Sequence, residues 1–212
     1  ETGCGIVPYT YRPSNIVNAV QWASGLELLL LIKNPWQVFL STDHPNGGCF
    51  WRYPEIIQLL MCADFRQECI KKLPDKIKNR ITLPEITREY TLYDVATSMS
   101  AGPARALGLH SKGNLGIGCD ADVVIYEEDH DVARMFSHPK FVLKGGEVVI
   151  EEGDIRETPN GSEFLVEPDF DPEVVDFLRG RFEDVYTLSF DNYPVEIERI
   201  EHPIFQDCKP TA

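Results

Sequence analysis

The feature that most constrains the fold of this chain is a single strand-like run set among helical patterns. Trp36-Gln-Val-Phe-Leu-Ser41 is apolar and rich in strand formers, with Asn34-Pro35 before it and Asp43-His-Pro-Asn-Gly-Gly48 after it. A short apolar run bounded by turn residues is the pattern of a parallel strand buried on both faces and followed by a loop. One strand does not make a sheet, and an unpaired strand edge is a liability. The first part of the chain therefore reads as a slice of a larger α/β domain.

The flanking patterns are helical. Residues 14–33 carry Ile16, Val17, Val20, Leu26 and Leu30 at helical spacing, with Ser14 as the expected N-cap and Asn34-Pro35 as the stop. A second helix is expected over 54–70, with Pro54 in its first turn and Ile57, Leu60, Met61 and Phe65 as the buried face. Residues 71–90 are polar, are broken by Pro74 and Pro84, and read as a connection. A third helix is expected over 91–107, where Thr91 and Asp94 have the spacing of a capping box and Gly108 is the stop.

Beyond residue 110 the pattern changes to strands. Ala121–Tyr126 is one, Phe141–Ile150 reads as a hairpin turning at Gly145-Gly146, and Glu163–Val166 is a candidate fourth. A helix is expected over 172–184 and a last strand over 186–190. The expected division is 1–110, helical with the lone strand, and 111–212, β-rich with one helix.

Of 34 acidic and 20 basic residues, 11 and 12 lie in residues 1–120, leaving 23 and 8 for the remainder. An acidic second half argues against a nucleic-acid surface, which needs clustered Lys and Arg. The longest apolar run, Leu28–Ile32, is far shorter than the roughly 20 residues a membrane helix needs, so a soluble protein is expected. The six cysteines form no CxxC pair, which disfavours a zinc ribbon or iron–sulfur site. With no signal peptide visible, reduced thiols and a cytoplasmic location are expected.

Several segments together resemble one family. They are Cys4-Gly-Ile-Val-Pro-Tyr9, Val17-Asn-Ala-Val-Gln-Trp-Ala23, Ser41-Thr-Asp-His-Pro-Asn-Gly-Gly48, Arg52-Tyr-Pro-Glu-Ile-Ile57, Ala101-Gly-Pro-Ala-Arg-Ala-Leu-Gly-Leu109 and Gly113-Asn-Leu-Gly-Ile-Gly-Cys-Asp-Ala-Asp122. The set resembles the A subunits of formylmethanofuran dehydrogenases and of the related bacterial formyltransferase/hydrolase complexes, along nearly the whole chain. The last two segments also resemble the closing stretch of the wider amidohydrolase superfamily, which includes dihydroorotases and hydantoinases.

The resemblance implies an α/β fold: the end of a metal-dependent amidohydrolase (β/α)8 barrel over 1–110, then the C-terminal portion of a composite β-sandwich over 111–212. It implies interconversion of formate plus methanofuran with N-formylmethanofuran, other subunits of such a complex as partners, and no nucleic-acid or membrane partner. It also implies a binuclear zinc centre in the complete subunit. Of the family's metal ligands only one has a match, Asp43, which the resemblance makes both metal ligand and catalytic carboxylate. None of His44, His110, His130, His138 and His202 forms the His-x-His pair of the family. The 212 residues alone are therefore not expected to hold the metals or to be active, and are expected to be poorly stable, exposing the apolar faces of helices 14–33 and 54–70.

Other readings of the same residues stand beside these. The run from Asp43 to Gly48 is also a turn composition, since Asp, Asn, Pro and Gly favour turns for local reasons. His44 and Asn46 are candidate substrate contacts, or a loop histidine and a turn former. Gly47 and Gly48 would let backbone approach a ligand. Arg52 meets an anionic group or forms a surface ion pair. Asp120 and Asp122 are assigned to turn and surface roles, and Trp22, Trp36 and Trp51 to the core. The 101–122 segment alone also fits a cyclic amidase, or a non-catalytic scaffold that kept the barrel end.

Overall fold

The computed structural model of the protein describes residues 11–42, 44, 48–166, 170–187, 189–192 and 203–206. Its contacts divide the chain into two compact units, 1–158 and 159–212. Among the described residues no helix is long and apolar enough to cross a membrane.

Helix α1 spans Ile16–Leu31, and its N-cap is Asn15 rather than Ser14: the Asn15 carboxamide oxygen accepts from the amides of Val17 and Asn18. The expected helix over 54–70 is two helices, α2 (Tyr53–Met61) and α3 (Ala63–Lys71). Cys62 breaks the run with φ −128° and ψ 103°, and its sulfur accepts from the Phe65 amide to start α3. A short helix α4 (Asp75–Lys78) follows.

The third expected helix is also segmented. Helix α5 (Leu92–Ala96) has the full Thr91/Asp94 capping box, a π-helical stretch covers Thr97–Ala101, and α6 spans Gly102–Ala106. Gly102 is required where it stands. A Cβ there would lie 2.4 Å from the Phe39 ring and 2.7 Å from the Thr97 carbonyl oxygen, too close for any side chain.

The segment expected to be a strand begins as a 3₁₀ turn, Pro35–Gln37, capped by the Asn34 side chain. Val38 is extended, but Val38–Thr42 belongs to no ladder among the described residues. The Leu40 amide ties it to the Ser98 carbonyl at 3.3 Å. The sequence has the composition of a buried strand; no described strand lies beside it to complete the ladder.

The core of the first unit lies between α1, α2, α3 and the 72–91 connection. Leu26 and Leu30 meet Ile57, Leu60 and Ile70, closed by Leu83, Ile86, Tyr90 and Val95. The connection is thus a packing element rather than an excursion. Polar side chains pin it. The Tyr90 hydroxyl donates to the Leu29 carbonyl at 2.7 Å, and Glu27 accepts from the Thr82 and Leu83 amides at 2.6 and 2.7 Å. Arg66 is fully buried, with its guanidinium donating to the carbonyls of Leu59, Ile86 and Arg88 at 2.7, 3.0 and 2.9 Å. Burial pushes its pKa down from the ordinary arginine value. The outer face of α1 is apolar and open: Val17, Leu28 and Leu31 are each 59% exposed.

The β-region is an antiparallel sheet in sequence order: β1 (Val123–Ile125), β2 (Phe141–Lys144), β3 (Glu147–Glu151) and β4 (Asp154–Ile155). The expected hairpin is present. Gly145 and Gly146 have φ of 59° and 86°, the two positive values that a tight turn between right-twisted strands needs. Helix α7 (Val132–Ser137), which no sequence pattern announced, packs Val132 and Phe136 against the helical core.

In the second unit, β5 (Phe164–Val166) pairs in parallel with β6 (Ile204–Gln206), and α8 spans Glu173–Val185. The expected strand over 186–190 is not formed among its described residues: Tyr186 caps α8 and Phe190 begins a 3₁₀ turn. Phe182 stacks between Tyr186 and Phe190, so these aromatics continue the helix's packing instead of laddering.

Candidate functional site

The sequence places its candidate residues in the loop that leaves the extended segment at Thr42. Asp43 and Asn46, the expected catalytic carboxylate and substrate contact, lie outside the described residues, as does Gly47. His44 is described and exposed. Its Nδ1 accepts a long hydrogen bond from the Phe50 amide at 3.4 Å. Nε2 is left for other contacts. The imidazole meets the Phe50 ring edge-on at 4.9 Å between centroids and the Trp51 ring at 6.1 Å, and the two aromatic rings meet at 5.5 Å.

His44 is therefore joined to the turn at Phe50–Trp51. The 3₁₀ turn Phe50–Arg52 runs directly into α2, whose first turn contains Pro54, and His44 folds back onto its start. A Cβ on Gly48 would meet the Thr42 carbonyl oxygen at 3.6 Å, an ordinary contact, so local packing does not demand glycine there. Arg52 takes the surface role: its guanidinium bonds Glu55 at 2.6 Å, with both groups solvent-exposed.

The tryptophans divide. Trp22 is half-buried against the core. Trp36 donates its Nε1–H to the Tyr93 hydroxyl at 3.2 Å and lies under the Arg105 guanidinium at 5.5 Å. Trp51, expected in the core, is 64% exposed, and its neighbour Phe50 is 57% exposed. A tryptophan in a short turn carries no periodicity that would assign it to a face, so its exposure had no sequence signal.

Asp120 and Asp122 do more than decorate a surface. Asp120 meets Lys112 at 2.6 Å; Asp122 meets Lys112 at 2.8 Å and Lys144 at 2.5 Å, and accepts from the Gly145 amide at 2.9 Å. Asp122 thereby ties the entry of β1 to the β2–β3 turn. Hydrogen bonds from Lys112 and then Lys144 hold its carboxyl well below the usual range, and the same contacts, led by Asp120, push Lys112 up. The Asp-Ala-Asp spacing before a strand, with lysines at 112 and 144, was the available signal.

Among the described residues no group of three or more His, Cys, Asp or Glu side chains could hold a metal ion. The described residues by themselves do not fit the metal centre that the resemblance implies. Cys49, Cys62, Cys69 and Cys119 are free and half-buried, and burial pushes the Cys69 thiol up, so it is not an activated nucleophile.

A mixed α/β chain with this loop has a place among known proteins. Residues 1–150 match the sequence profile of the amidohydrolase family, and the chain belongs to that family. Within it, the chain is 41% identical over 193 residues to the A subunit of the formyltransferase/hydrolase complex Fhc of Methylorubrum extorquens, covering 91% of this chain and 35% of that protein. It is 39% identical over 210 residues to the protein FwdA of Methanocaldococcus jannaschii, covering 93% of this chain and 37% of that one. Among solved structures it matches a chain of the Methylorubrum extorquens formyltransferase/hydrolase complex FhcABCD, in complex with methylofuran. That match has a TM-score of 0.83 and 38% identity, over 96% of this chain and 38% of the other. The chain thus spans little more than a third of the length of the relatives it matches.

Proposed function

We propose that this chain forms part of an A subunit that interconverts formate plus methanofuran with N-formylmethanofuran by metal-dependent amidohydrolase chemistry, within a complex of the formyltransferase/hydrolase or formylmethanofuran dehydrogenase type. The supporting observation is the likeness to these two relatives over nine-tenths of the chain, together with a structural likeness to a complex holding methylofuran. Under this reading residues 1–110 are the end of the barrel and residues 111–212 belong to a composite sandwich. The metal ions, expected to be a zinc pair, are held largely by polypeptide beyond these 212 residues.

In the complete subunit a bound metal pair would acidify the water that attacks the amide. The contribution of this chain is a carboxylate and its loop. Hydrolysis of a formyl amide breaks the C–N bond, and the departing nitrogen must be protonated because an amide anion is a poor leaving group. Asp43 is assigned to take the proton released by the attacking water and to pass it to that nitrogen; water and the formyl amide become formate and the free amine. His44 and Asn46 are assigned to hold the substrate. Barrel enzymes build their sites where strands end, and in the sequence Asp43 directly follows the strand-like run 36–41.

The test uses the full-length subunit in its complex. Asp43→Asn is expected to cost about 10²–10⁴-fold in kcat for N-formylmethanofuran hydrolysis, the usual contribution of a positioned proton-transfer group. A variant retaining full activity would remove Asp43 from the mechanism. Turnover of hydantoin or dihydroorotate in place of the formyl amide would instead favour a cyclic amidase. A full-length subunit purified without bound metal would favour a scaffold role.

A further inference from the structure

The helix that starts at Thr91 is interrupted where it meets the extended segment. Between α5 and α6 the Gly102 N–H donates to the Thr97 carbonyl, five residues back, so Thr97–Ala101 is a single π-helical turn. A regular helix would aim that N–H at the Ser98 carbonyl. A continuing π-turn would use the N–H of residue 103, which is a proline and has none. The Ser98 carbonyl is thereby left without a donor from its own helix, and it accepts from the Leu40 amide at 3.3 Å. The preceding residue of the segment meets the same turn: the space that a Cβ on Gly102 would fill is taken by the Phe39 ring. Val38–Thr42 lies in no ladder among the described residues. A backbone bond to the turn therefore takes over the task of setting register, which a ladder normally has.

We infer that the π-turn Thr97–Ala101, with Gly102 and Pro103, is a positioning element that sets the register of the 38–42 segment and through it the placement of the carboxylate following Thr42 in sequence. The inference rests on the function proposed above and deepens it. A π-turn departs from the best helical geometry and is found frequently at functional sites. Here it frees one carbonyl, and Gly102 leaves room for the segment to come close. A group that transfers a proton is sensitive to such placement, since a misplacement of about 1 Å caused far from the chemistry can cost about 10²-fold.

The experiment compares Gly102→Ala and Pro103→Ala in the full-length subunit in its complex, with N-formylmethanofuran as substrate and Asp43→Asn as reference. Gly102→Ala pushes the segment off the turn and is expected to lower kcat about 10²-fold with KM unchanged. Pro103→Ala adds no bulk at Gly102 and favours helix, but it gives residue 103 an N–H that competes with Leu40 for the Ser98 carbonyl. It is expected to lower kcat by less, with no fall in thermal midpoint. Amide exchange at Leu40 is expected to be faster in both variants. Unchanged exchange at Leu40 overturns the inference, as does faster exchange with unchanged kcat. So does a fall in kcat that follows the thermal midpoint in both variants, which marks the turn as packing alone. Should Gly102→Ala fail to fold, Pro103→Ala decides. If Asp43→Asn remains active, the site reading fails, and exchange at Leu40 still reports whether the turn holds the segment. If Asp43→Asn is inactive while both turn variants keep their kcat, only the positioning role fails.

Discussion

The helical layer of the first unit and the four-stranded sheet that follows it are built on different terms. In the layer, polar groups are drawn inside. Arg66 is enclosed by three carbonyls, Tyr90 donates to Leu29, and Arg88 donates to the Leu30 and Ile32 carbonyls at the end of α1. In the sheet the polar ties lie outside. Asp122 with Lys112 and Lys144, Lys140 with Glu127, and Arg156 with Glu151 are half-buried or exposed pairs. Among the described residues, every member of the buried core lies at or before Ala104, and the four strands contain none. The layer thus owns its core, while the sheet owns its register and turn but no interior. Hydrogen bonds inside a low-dielectric layer gain strength that exposed pairs lose to water and salt.

The contrast can be broken where it is steepest. Arg66→Ala leaves three buried carbonyls without donors and opens a cavity, so the folded state of the full-length protein is expected to be destabilised by about 3–5 kcal/mol. A urea or thermal unfolding curve checks this, and a loss below about 1 kcal/mol would mean that water replaces the guanidinium. Asp122→Asn is expected to cost about 1 kcal/mol, read as faster amide exchange at Gly145. Its pH dependence has a definite sign. Because the folded carboxyl lies below its unfolded value of about 3.9, its stabilisation is fully present above that value and is lost as the pH falls through the depressed folded one. Arg52→Ala marks the floor of the comparison. The exposed pair with Glu55 is expected to be worth less than about 0.5 kcal/mol, and unfolding in high salt should not distinguish the variant from the wild type.

Local signals were legible where one residue decides the geometry. Thr91 and Asp94 form the capping box their spacing implies, and Gly145-Gly146 turns the hairpin. The break at Cys62 was not legible, because apolar residues keep helical spacing across it and no Gly or Pro interrupts. The average polarity of residues 71–90 hides Leu73, Ile77, Leu83, Ile86 and Tyr90 at single buried positions. Arg66 reads as surface in any sequence, and only the convergence of three distant carbonyls puts it inside. Of the site, His44 can be followed into the structure, where it folds back onto Phe50, a contact that no sequence pattern reveals. The exposure of Trp51 was also invisible, since aromatic residues default to the core when no face is specified.

The guanidinium of Arg66 reaches carbonyls on α2 and on two residues of the connection that are 20 and 22 positions away. A planar fork of donors accepts such partners only at fixed angles, which the flexible ammonium of a lysine cannot reproduce. A connection slipped by one residue would therefore strand a positive charge in an apolar interior rather than settle into a nearby alternative. That single side chain ties the alignment of the connection to α2, penalising wrong pairings more than it rewards the right one.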